Sequence, residues 1–111
     1  MSARIARNFS QLRRIHSAST RDRPGLIKNL SDDCILALCE IAHNVLKGTI
    51  PLNSLQYNKM RSHKKSLRTL ARRRGVSKRN RKQVLCQRGG FLPALLAVGL
   101  PFLHSLISSA L

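Results

Sequence analysis

The stretch Ser31-Asp32-Asp33-Cys34-Ile35-Leu36-Ala37-Leu38-Cys39-Glu40-Ile41-Ala42-His43-Asn44-Val45-Leu46-Lys47-Gly48 carries the clearest structural signal in the chain. Ile35, Leu38, Ile41, Ala42 and Val45, with Leu46 beside them, recur at helical steps, so they form one apolar stripe on a helix of roughly residues 32–47. Ser31 offers a side-chain acceptor to the free N–H groups of the first turn, and Asp32 and Asp33 place negative charge at the positive end of the helix dipole. Gly48 suits the left-handed residue that closes a helix. A stripe of this kind must be covered by another element, and the flanking sequence supplies one.

Thr49-Ile50-Pro51-Leu52 is extended or turning, because the residue before a proline avoids the helical region. Asn53 or Ser54 can then cap a second long helix, roughly 54–73, on which Leu55, Met60, Leu67, Leu70 and Ala71 could face the first; the two helices would form a hairpin. Gly75 ends the second helix, and Ser77 can cap a third of about 77–87 with Val84 and Leu85 as its apolar residues. On the N-terminal side, Arg23-Pro24-Gly25 is a break, and Pro24 suits the start of a short turn or helix through Leu30. The expected fold is therefore all-α. It is a small helical hairpin or three-helix domain with a basic helical belt, a separate apolar C-terminal helix and a flexible N-terminus. Three segments follow: a basic amphipathic segment, 1–30; a small helical domain carrying the basic belt, 31–88; and a Gly-Gly junction with an apolar tail, 89–111.

Charge is the second strong signal. The chain has 111 residues, 21 Lys and Arg against four Asp and Glu, and a formal net charge of +17. Such a chain repels itself unless a polyanion neutralises it, and nucleic acid, an anionic membrane surface and an acidic protein are the candidates in that order. All four acids, Asp22, Asp32, Asp33 and Glu40, precede Ile41, so the remainder holds no carboxylate side chain. Thirteen cations fall between residues 59 and 88: Lys59, Arg61, Lys64, Lys65, Arg68, Arg72, Arg73, Arg74, Lys78, Arg79, Arg81, Lys82 and Arg88. On the second helix Arg61, Lys64, Lys65, Arg68 and Arg72 recur at three- and four-residue steps and share a broad face. Like charges so spaced destabilise an isolated helix by tenths of a kcal/mol per pair, a cost that phosphate would remove. Aromatic residues are few and Trp is absent, which favours phosphate contact over base stacking.

Residues 1–23 are rich in Arg and Ser and place Ile5, Phe9, Leu12 and Ile15 at helical spacing. That composition fits a mitochondrial transit peptide, or a basic amphipathic helix packed on the domain or on DNA. At the other end residues 91–111 contain no charged side chain over 21 positions, enough for about 30 Å of helix. That length permits a membrane span, but with Pro101, Gly99, His104 and three serines the run fits a kinked interfacial helix or a buried protein-binding segment at least as well.

Catalytic and metal signals are weak. Three cysteines, Cys34, Cys39 and Cys86, without a Cys-x-x-Cys pair fit neither a disulfide framework nor a zinc ribbon, and a reducing compartment is the default. Cys39 and His43 lie one helical turn apart, but two ligands do not make a metal site, and they read as residues at the edge of the core. No carboxylate pair, Ser/His/Asp set or glycine-rich phosphate loop is present, so no enzyme activity, cofactor or metal is expected.

The junction Gln87-Arg88-Gly89-Gly90-Phe91-Leu92-Pro93, followed by Ala94-Leu95-Leu96, resembles the precursor family of adenovirus core protein X, or mu. In that family an arginine-rich peptide ends in Arg-Gly-Gly and runs into an apolar stretch. The likeness covers about residues 72–111. Over roughly residues 34–111, including Asn44-Val45-Leu46-Lys47-Gly48 and Pro51-Leu52, the chain also resembles core-protein relatives of the Polinton and adintovirus elements. The resemblance implies a virion core protein that binds and condenses double-stranded DNA in the virion core and host nucleus. Arg72, Arg73, Arg74, Arg79, Arg81, Lys82 and Arg88 would take the place of the family's arginine cluster. It also implies cutting by an adenovirus-type cysteine protease between Gly90 and Phe91, within the motif Gln87, Arg88, Gly89, Gly90, Phe91, with residues 91–111 removed or facing capsid proteins or a membrane. The alternatives are a membrane-active or tail-anchored basic protein, and an organellar RNA-binding protein with a transit peptide, with the mitochondrion or a membrane as the location.

Overall fold

In the computed structural model the described residues are 3–72, 75–86 and 90–110, with side-chain surroundings described through Pro101. Eight helices run through them: α1 (Ala3–Arg7), α2 (Phe9–Ser17), α3 (Arg23–Lys28), α4 (Asp32–Leu46), α5 (Ser54–Ser62), α6 (Lys64–Ala71), α7 (Lys78–Leu85) and α8 (Phe91–Ala110). No strand occurs among the described residues, and the chain is all-α as its apolar spacing required.

The helix ends are where the capping residues place them. Ser31 accepts a hydrogen bond from the Cys34 N–H at 3.2 Å, and Ser77 accepts one from the Asn80 N–H at 3.1 Å. Asn53, rather than Ser54, caps α5 in a reciprocal capping box: its Oδ1 accepts from the Gln56 N–H at 2.9 Å and its own N–H donates to Gln56 Oε1 at 3.0 Å. Gly48, after α4, and Gly75, between α6 and α7, take φ values of +79° and +77°, a region that costs a side-chain-bearing residue free energy.

Helix α4 is the centre of the molecule. Its stripe, with Cys34, Ala37 and Cys39, is buried, and α1, α6, α7 and α8 all pack on it. The hairpin expected from sequence exists between α4 and α6, where Leu67 and Leu70 are buried. The single helix expected over 54–73 does not. It breaks at His63, which closes α5 and opens α6 with φ −105° and ψ 19°. The His63 ring lies 5.7 Å from the Phe91 ring, and α5 turns away from α4 to pack on α8. Met60 is buried, while Leu55, expected to face α4, is 81% exposed and Leu46 is 44% exposed. The third helix is present, with Val84 and Leu85 buried.

The ends of the chain differ from the expectation of a flexible N-terminus and a separate tail helix. Ile5, Leu12 and Ile15 are essentially without solvent contact, and so are Phe91, Leu92, Leu95 and Leu96. One core cluster takes residues from all three segments. The physical reason is area: a hairpin of 15 and 8 residues covers only part of the α4 surface, and apolar area gains about 25 cal/mol per Å² on leaving water. Helices α1 and α8 supply the missing cover, with α8 lying against α2, α4 and α5. The radius of gyration, 13.0 Å, is that of a compact chain of this length.

Candidate nucleic-acid interface

The belt residues lie on three helices and the turns between them. Lys59 and Arg61 are on α5, Lys64, Lys65 and Arg68 on α6, and Lys78, Arg79, Arg81 and Lys82 on α7, with Arg72 following α6 in extended conformation. Lys59, Arg61, Lys64, Lys65, Arg68, Arg72, Lys78 and Arg79 are exposed, and Arg81 and Lys82 are half-buried. Arg73, Arg74 and Arg88 lie outside the described residues, as do Gln87 and Gly89 of the cleavage motif. On α6 the exposed Lys65 and Arg68 stand on the side away from Leu67 and Leu70, and Lys64, three residues before Leu67, stands at the flank, as the 3.6-residue repeat requires. The break at His63 detaches Arg61 from that row, so the continuous face from Arg61 to Arg72 expected from spacing is two shorter faces on differently directed helices.

Two hydrogen bonds fix α7 beside its neighbours. Arg81 donates through Nη2 to the Arg72 carbonyl at 2.8 Å, and Lys82 Nζ donates to the Lys28 carbonyl at 2.7 Å. With α6 and α7 in contact around the Gly75 turn, the cations at the end of α6 and those of α7 come to one region of the surface.

Where the three carboxylates of α4 go decides what the belt is left with. Asp33 accepts from Arg7 through both oxygens, at 2.7 and 2.8 Å, from Asn8 Nδ2 at 2.7 Å and from Arg4 Nε at 3.3 Å. Glu40 accepts from Arg4 Nη1 at 2.9 Å. The Arg7 guanidinium first, and the Asn8 amide second, hold the Asp33 carboxyl well below the usual carboxylate range. Asp32 pairs with Lys78. Thus two acids of α4 are taken by cations of α1, and among the described residues Lys78 is the belt's one member with a carboxylate at ion-pair distance. Sequence reasoning missed the α1–α4 network, since its partners are 25 to 36 positions apart. The signal available was the coincidence of cations in the first amphipathic helix with acids on the first turns of α4.

The remaining candidates behave as core-edge residues or lie where their chemistry is suppressed. Cys34 is buried and its thiol is pushed up to about 11 by desolvation; burial also raises Cys39, and Cys86 is exposed. No group of three His, Cys, Asp or Glu side chains able to hold a metal occurs among the described residues. Phe91, the residue after the expected cut, is 1% exposed at the first position of α8. Among the described residues no helix is long and apolar enough to cross a membrane. No family model, curated protein or solved structure matches the chain.

Proposed function

We propose that the protein binds double-stranded DNA without sequence preference and condenses it, acting without catalysis as a core protein of a virus or virus-like transposon. The observation that carries the reading is the excess of exposed cations on and beside α5–α7 over the carboxylates that could neutralise them. The acids of α4 are engaged by Arg4, Arg7 and Lys78, and Lys59, Arg61, Lys64, Lys65, Arg68, Arg72 and Arg79 stand exposed on and beside α5–α7 with no carboxylate among the described residues at ion-pair distance. A duplex presents one negative charge per ~1.7 Å of axis, so several of the exposed side chains can reach phosphates at once. Nothing in this arrangement reads base edges. The viral assignment rests on the resemblance at residues 72–111 and 34–111.

The burial of Phe91, Leu92, Leu95 and Leu96 supports this reading over a tail-anchored protein, because the residues that a bilayer would take are occupied by α2, α4 and α5. The packing of Ile5, Leu12 and Ile15, and the Arg7–Asp33 pair, support an N-terminal segment that belongs to the fold over a detachable transit sequence. Processing after Gly90 is part of the proposal only with a structural condition: Phe91 must leave the core before an extended strand can enter a protease cleft.

Binding of the full chain to a random-sequence duplex, compared with vesicles of anionic lipid at the same salt, tests the reading. Duplex binding at low salt with little dependence on sequence is expected. Binding to vesicles without a shift of duplex would overturn it.

A further inference from the structure

Where α4, α6 and α7 meet, a cleft of about 590 Å³ is lined by Arg4, Glu40, His43, Lys47, Arg72 and Arg81 among others. Four of these six are cations and one is a carboxylate, and Glu40 already accepts from Arg4 at 2.9 Å. The donors reach the cleft from three separate places: Lys47 at the end of α4, Arg72 after α6 and Arg81 inside α7. Arg81 is tied by Nη2 to the Arg72 carbonyl, while its Nε is enclosed by protein and donates to no acceptor. Native proteins rarely leave a buried donor unmet, and a guanidinium is the most expensive group to leave so.

We propose that this cleft binds a phosphate group, which supplies the acceptor that Arg81 lacks after a small rotation of its guanidinium. A tetrahedral oxyanion suits converging donors better than a planar carboxylate does, and arginine forks match phosphate geometry. The volume exceeds that of a bare phosphate and leaves room for the sugar to which it is esterified. The site is distinct in kind from the exposed faces of α5–α7: those present charge to a long polyanion, and the cleft holds one phosphate in a recess. Either can exist without the other.

The test is a titration of the full chain with inorganic phosphate against chloride at constant ionic strength, followed by the NMR signals of Arg81 Nε–H and the His43 ring. Both should move along one saturating curve, while the Nε–H signals of Arg61 and Arg68 move little and without saturation. Lys47→Gln changes an exposed residue, so the fold is kept, and it should weaken phosphate by about three- to tenfold with an unchanged melting curve. A belt variant, Lys64→Gln with Lys65→Gln and Arg68→Gln, should bind duplex less tightly and phosphate as before, which separates failure of the cleft from failure of the DNA reading. A 5′-phosphorylated dinucleotide and an internal phosphodiester, used as competitors, identify the source: displacement by the first alone assigns a terminal phosphate, and displacement by both assigns the nucleic-acid backbone. Equal, unsaturable shifts at Arg61, Arg68 and Arg81, or an unchanged affinity in Lys47→Gln, would mean an adventitious ion only and would overturn the site.

Discussion

Asp33 is the residue on which the N-terminal segment turns. Its two oxygens take four donors from Arg4, Arg7 and Asn8, and those donors belong to a segment whose sequence also fits a free amphipathic leader. Because the folded carboxyl titrates below its unfolded value, near 4, the linkage has a definite sign. Asp33 contributes stability at all pH values above about 4, and the contribution is lost as pH falls below that toward the folded pKa. Asp33→Asn should therefore melt earlier than wild type at pH 7, with the gap closing as pH is lowered from about 4 toward 2 in thermal scans. A gap independent of pH would show that the carboxylate charge is not what holds α1. None of this was legible beforehand, since a pairing across 26 positions leaves no periodic trace and Arg7 reads alone as one more cation.

At the scale of elements, the long amphipathic pattern of α4 and the caps at Ser31, Asn53 and Ser77 could be read directly, because both are local. The break at His63 could not, because the ring it packs beside, Phe91, comes from the other end of the chain and leaves no local trace. Nor could the fate of α8, since an apolar run looks the same whether a bilayer or a protein core covers it. Gly99 makes that fate measurable. A Cβ placed there would stand 2.8 Å from Ile41 Cγ2, a branched side chain with little freedom to move, whereas one at Gly25 in α3 meets nothing within 4 Å. In a free helix glycine to alanine is stabilising by about 1 kcal/mol. In the packed helix the overpacking cost of about 1–3 kcal/mol outweighs that gain. Gly99→Ala should lower the denaturant midpoint and Gly25→Ala should leave it equal or higher. A higher midpoint for Gly99→Ala would place α8 outside the core.

For the whole molecule, one core binds the two ends to α4, and in doing so it fixes which charges remain available. The α1 arginines are engaged by α4, and the cations proposed to meet a polyanion are those of α5–α7, where Lys64, Lys65 and Arg68 stand exposed on a helix anchored by Leu67 and Leu70. Replacing these three cations removes charge without touching the core, so stability should change by less than about 0.5 kcal/mol. The most direct measurement of the central claim is the slope of log affinity for a random duplex against log salt concentration, for the full chain and for the variant Lys64→Gln, Lys65→Gln and Arg68→Gln. Each phosphate contact contributes about 0.9 to the slope, so the variant should be shallower by up to about 2.7. An identical slope in the two proteins would contradict phosphate binding by this face.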